Sequence, residues 1–108
     1  IITKNEKEAN SLFKINESIY EGIKLTKNLV SEPPNILYPE TMAKECETLE
    51  SLGVKVEILG EKQLTELGAN SLLGVARGSR REPKMVIMKY NGLGASSKKQ
   101  PIALVGKG

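Results

Sequence analysis

Few side chains in this sequence have the chemistry for a reaction, and the best placed is Lys107. It stands between Gly106 and Gly108, directly after the apolar run Ile102–Val105. A continuous apolar run between a proline and two glycines reads as a strand buried on both faces. The carboxyl end of such a strand is where open α/β sheets place their working residues. Flanking glycines let the backbone approach another group closely. A lysine amine can ligate a metal, but only in its neutral form, which burial and cationic neighbours favour. The alternative for a lysine in this position is a solvated charge.

The residues that are missing narrow the chemistry further. The sequence has no histidine, and every acidic side chain is a glutamate. A Ser-His-Asp or Cys-His nucleophile is therefore impossible within it, and the commonest general base and metal ligand is absent. Most of an enzyme's chemistry would have to lie outside these residues. Cys46, the one cysteine, falls on the same helical face as Met42 and Leu49. With no histidine to activate it, it reads as a buried structural thiol. A single cysteine excludes an intramolecular disulfide and fits a reducing compartment.

Two charged stretches invite a binding reading. Arg77, Arg80 and Arg81 are the only arginines and lie within five positions. They could grip an anionic ligand or a partner subunit, or be a charged connector between core elements. The loop from Gly92 through Gly94 to Lys98 and Lys99 follows a strand-like segment and suggests a phosphate loop. It fails on mechanism, because Ser97 precedes Lys98 and Lys99 follows it, where a Walker loop needs glycine and a hydroxyl.

These candidates need elements to hold them. Residues 1–14 are polar and read as a linker into a helix. From Ile15 the apolar positions 15, 19, 23 and 30, widened by Leu25 and Leu29, give helical spacing with a broad buried stripe. Pro33-Pro34 ends that helix. Pro39 suits the first position of a second one, with Met42, Ala43, Cys46, Leu49 and Leu52 on its apolar face and Gly53 ending it. Tyr38 would be its N-cap, a poor one, costing about 1 kcal/mol against Ser or Thr. Residues 54–58 alternate as a strand with one wet face, and Glu61–Leu67 is a short helix stopped by Gly68. Residues 69–76 fit helix or strand; Leu72, Leu73 and Ala76 share a face and favour helix. Residues 84–90 form a second strand, which could neighbour the one at 102–105. The formal charge is +3, with lysine and glutamate interspersed rather than in a basic stripe, and no apolar stretch reaches the roughly 20 residues a membrane span needs.

Several short motifs, taken together, resemble a known family. Residues 28–41 (Asn-Leu-Val-Ser-Glu-Pro-Pro-Asn-Ile-Leu-Tyr-Pro-Glu-Thr), then Gly53-Val-Lys-Val-Glu57, then Gly68 through Ser79, then Pro101 to Gly108 are similar, in order and spacing, to the start of the catalytic domain of the leucyl aminopeptidases, the M17 metallopeptidases. The resemblance covers residues 17–108, and residues 1–16 look like the linker from that family's separate amino-terminal domain. Tyr38 departs from the family's usual threonine or serine.

The resemblance implies an α/β fold, a fragment of a mixed β-sheet flanked by helices. It implies a two-metal exopeptidase that releases amino-terminal residues from peptides, leucine favoured, with zinc, manganese or magnesium as the metals. Lys107 matches a lysine that ligates one metal; the carboxylate ligands, a second lysine and the catalytic arginine of the family fall beyond Gly108, so no catalytic residue is assigned here. A cytoplasmic homo-hexamer is implied, and this chain alone would be inactive. The alternative is a small non-enzymatic α/β module binding protein or nucleic acid, resting on the net charge and the three arginines.

Overall fold

The structure, a computed structural model, describes residues 4–94 and 99–108. The elements in order are helix α1 (Glu6–Ser31), helix α2 (Pro39–Glu47) continuing into a 3-10 segment (Thr48–Leu52), strand β1 (Lys55–Leu59), helix α3 (Glu61–Glu66), helix α4 (Asn70–Ala76) and strand β2 (Met85–Lys89). The expected class is present: α/β, with a small sheet flanked by helices.

Local sequence explains most boundaries. The Asn5 side chain accepts from the Glu8 N–H at 3.3 Å and donates to the Glu8 carboxylate at 2.7 Å. That cap starts α1 at Glu6, well before Ile15, so part of the segment read as linker is helical. Glu32 leaves the helix at ψ 136°, as a residue before proline must. Tyr38 does precede α2, and its weakness as a cap is compensated three residues on. The Thr41 hydroxyl accepts from the Tyr38 N–H at 2.9 Å and lies 2.8 Å from the Ile36 carbonyl as donor. After Glu47 the helix tightens, because the Thr48 and Ser51 hydroxyls donate to carbonyls three residues back, at 2.6 and 2.8 Å, the spacing of a 3-10 turn. Gly53 then closes it at φ 83°. Gly68, at φ 69°, ends α3 in a Schellman motif: its N–H bonds to the Thr65 carbonyl, and that of Ala69 bonds to Leu64.

β1 and β2 pair antiparallel, with Val56 opposite Met88 and Ile58 opposite Val86. Directly opposed residues share a face, and α2 packs against both strands while α3 packs against β1 and α4. The alternation read at 54–58 holds: Val56 and Ile58 are half-buried, and Lys55 and Glu57 are exposed. Among the described residues the enclosed core is small, comprising Ala43, Cys46 and Leu64. On the second helix's expected face Leu49 is half-buried, but Leu52 is 70% exposed, because the 3-10 twist rotates it outward.

Two sequence expectations are corrected. The apolar stripe of α1 is formed but not buried: no residue of α1 is enclosed, and Ile15, Ile19 and Ile23 are more than half exposed. A helix face is buried only if another element lies along it, and none of the elements does so extensively. Ile102–Val105 is not a strand, and Ile102, Leu104 and Val105 are at least 90% exposed. A strand exists through a neighbour's hydrogen bonds, and the run pairs with neither β1 nor β2. These open surfaces give a radius of gyration of 18.4 Å, against roughly 13 Å for a compact domain of this length.

Candidate functional site

Lys107 is exposed and lies outside any helix or strand, so no described element positions its amine. Of the donors the family resemblance implies for a two-metal site, Lys107 is the one that falls among the described residues. No group of three or more histidine, cysteine or carboxylate side chains capable of holding a metal occurs among the described residues. The residues present do not by themselves fit a dimetal centre: a single amine supplies one bond and no negative charge to offset two dications. The Gly92-to-Lys99 loop lies partly outside the described residues, which omit 95–98. Its visible part is a turn, with the Gly94 N–H bonded to the Asn91 carbonyl and Gly94 at φ 78°.

Cys46 is buried, as its helical position implied. Burial pushes its thiol above the usual cysteine value, and the neighbouring Glu45 carboxylate adds to the effect. Both disfavour the thiolate, which is the nucleophilic form. Glu40, in the first turn of α2, has one carboxylate oxygen enclosed without a hydrogen-bond partner among the described residues.

The three arginines come together at one concavity. An open concavity of about 350 Å³ is lined by Arg77, Arg80 and Arg81 together with Ser79, Glu61 and Glu82. The Arg81 guanidinium lies 3.7 Å from the centroid of the Tyr38 ring, a cation–π contact between α2's entry and the segment before β2. Tyr38, which sequence reading treats only as a poor cap, is thus a platform for Arg81. Forty-three positions separate the two residues, and no local signal connects them.

A second long-range contact braces the same concavity. Glu82 accepts from the Glu61 N–H at 2.8 Å, and its other oxygen accepts from the Lys84 ammonium at 2.8 Å. The Lys84 hydrogen bond first, then the Glu61 N–H, hold its carboxyl below the ordinary glutamate value. The contact therefore stabilises the fold fully above that ordinary value and is lost as pH falls through the lowered one. A Cβ at Gly60 would stand 2.5 Å from the Glu82 carboxylate, so the carboxylate would have to shift to make room for one. The backbone at Gly60 is extended, at φ −92°, so alanine meets the carboxylate, not backbone strain. Gly60→Ala is expected to lower the melting temperature by a few degrees, the scale of a lost helix cap in a domain of this size. Glu82→Gln should do similar harm, and the double variant little more than either alone. Thermal circular dichroism of the three variants measures this, and full additivity would show the two positions uncoupled.

Comparison with known proteins follows from the whole chain rather than from this cavity. Residues 24–108 match the family model for the cytosol aminopeptidase family, catalytic domain. A probable cytosol aminopeptidase of Brucella melitensis is 52% identical over 100 residues, covering 93% of this chain and 20% of that protein. Its counterpart in Agrobacterium fabrum is 49% identical over 108 residues, covering 100% of this chain and 21% of that protein. One in Gluconobacter oxydans is 50% identical over 92 residues, covering 85% and 18%. The chain thus spans about a fifth of the length of these relatives. No solved structure matches it. With most of its length aligned to one catalytic-domain model and half its residues shared with such relatives, the chain belongs to the cytosol aminopeptidase family.

Proposed function

We propose that this chain is the opening part of the catalytic domain of a metal-dependent aminopeptidase that releases amino-terminal residues, leucine favoured, from peptides. The observation that carries the reading is the continuous match of residues 24–108 to the family's catalytic domain. Within it, Lys107 would give one bond to one of two divalent metals, zinc, manganese or magnesium, whose other ligands come from the rest of the full-length protein. The metals would supply Lewis-acid activation of water and of the scissile carbonyl. Residues 1–16 would connect to a separate amino-terminal domain. A cytoplasmic hexamer is part of the same reading. Among the described residues no helix is long and apolar enough to cross a membrane.

The uncovered apolar surfaces support this reading. The stripe of α1 and the run Ile102–Val105 expose side chains that a folded protein normally buries, and the remainder of the catalytic domain would cover them. The 108-residue chain is accordingly expected to show no hydrolysis of a leucine anilide with added manganese, while the full-length protein hydrolyses it in a metal-dependent manner. Turnover by the chain alone, or none by the metal-loaded full-length protein, would overturn the assignment.

A further inference from the structure

The arginine-lined cavity is separate from Lys107 in the chain and has no part in the proposed hydrolysis. We propose that it is a binding site for a small doubly charged oxyanion of the phosphate class, held by Arg77, Arg80 and Arg81.

Charge comes first. None of the three guanidiniums has a carboxylate within ion-pair distance among the described residues; the ion pairs present all involve lysine. Of the two acids in the cavity lining, Glu82 is paired with Lys84 at 2.8 Å and occupied by the Glu61 N–H. With Glu82 offset by Lys84, the three arginines and Glu61 leave the cavity lining with an excess of two positive charges. A dianion neutralises it and a monoanion does not.

Geometry comes second. Arg81 is stacked on Tyr38 at 3.7 Å. Stacking takes up the face of a guanidinium and leaves its N–H groups, which lie in the plane at its edge, free to meet an oxyanion in a fork. The ring holds the side chain, so less rotamer freedom is lost when a ligand arrives. Ser79 fixes the turn that gathers the group: its hydroxyl oxygen accepts from the Arg81 N–H at 3.0 Å, and its N–H bonds to the Ala76 carbonyl. The hydroxyl proton has no acceptor among the described residues and is left to donate to a ligand. Three guanidinium-bearing residues and a hydroxyl lining one concavity carry more donors than one carboxylate's two oxygens can use, whereas a tetrahedral phosphoryl group presents three or four oxygens. The cavity's about 350 Å³ lies at the lower end of the range of small-molecule sites, which suits a phosphate monoester.

The test is a titration of the 108-residue chain with inorganic phosphate, followed by nitrogen-15 NMR of backbone and arginine side-chain signals at fixed ionic strength. Saturable shifts at Arg77, Ser79, Arg80 and Arg81 are expected, with acetate at least about tenfold weaker. Arg77→Ala and Arg80→Ala should each weaken binding at least about tenfold, the consequence of losing one charge-assisted fork. Arg81→Lys and Tyr38→Leu should each weaken it severalfold, because the first keeps the charge without the fork and the second removes the platform. Lys27→Ala, which removes the same charge from the exposed surface of α1, should leave affinity unchanged. Unaltered β1 and β2 amide signals in the arginine variants confirm that their fold is intact. Shifts that grow linearly without saturation would overturn the site. So would equal losses from Lys27→Ala and Arg80→Ala, or salt-dependent binding of a DNA duplex without saturable phosphate binding, since each would reduce the cluster to general positive charge.

Discussion

Leu64→Ala is expected to abolish cooperative unfolding of the 108-residue chain. Among the described residues Leu64 is the one side chain with no exposure at all, and only Ala43 and Cys46 join it in the enclosed core. It sits in α3 directly after the strand turn at Gly60, and its carbonyl takes the Ala69 N–H that closes the helix at Gly68. Truncating a buried leucine costs about 2–5 kcal/mol through lost transfer energy and the cavity left behind. A core this small supplies at most about 3–5 kcal/mol in total, so the substitution removes most of what holds α3 against β1. Leu67, three residues on and 67% exposed, is the control, and its alanine variant should stay within about 0.5 kcal/mol of the parent. Urea unfolding followed by circular dichroism separates the two. A sigmoidal transition at an unchanged midpoint in Leu64→Ala would show that stability resides elsewhere, in the sheet or in α1.

The same contrast shows why some of this molecule was legible in its sequence and some was not. Pro33, Pro39, Gly53 and Gly68 act through their own backbone, and each marks an element boundary within a residue or two of the observed one. The alternation at Val56 and Ile58 reports which side of a strand faces inward, and the half-buried and exposed positions follow it. The apolar stripe of α1 and the run Ile102–Val105 report a need for burial without naming what does the burying. Among the described residues no element encloses either of them. Periodicity found the α1 face and predicted the 102–105 strand for the same reason: both describe what a segment requires, not whether a partner is present.

Contacts between distant positions were invisible for a different reason. Gly60 reads as the end of a strand, and nothing in its neighbours says that a carboxylate 22 positions later must pass close to it. The clearance of 2.5 Å, too short for a Cβ, is visible only in three dimensions. Tyr38 likewise reads as a defect at a helix start. The local defect is repaired by Thr41, and the ring then carries Arg81. The cluster Arg77, Arg80 and Arg81 could be seen, but a solvated connector and a lined cavity have the same sequence. What distinguishes them is the closure of α4, Ser79 and the segment before β2 around one space.

Lys107→Ala, made in the full-length protein, is expected to reduce metal affinity at one site by at least about 100-fold and to take most of the activity with it. Changing a partner of a metal ligand already costs about 10- to 100-fold, and removing the ligand itself should cost no less. Among the described residues the lysine is exposed, so the proposed ligand role would need Ile102–Val105 to be covered and carboxylates to be supplied by the full-length protein. Lys107→Arg distinguishes ligation from charge. A guanidinium keeps the positive charge but does not lose its proton in proteins, so it has no lone pair to offer a metal. If Lys107 is a ligand, arginine fails as badly as alanine; if it is only a surface charge, arginine restores function and alanine does modest harm. Calorimetric metal titration beside activity reads both variants, with circular dichroism confirming the fold. Two metals bound with parental affinity in Lys107→Ala would remove the residue from the site, whatever the family resemblance implies.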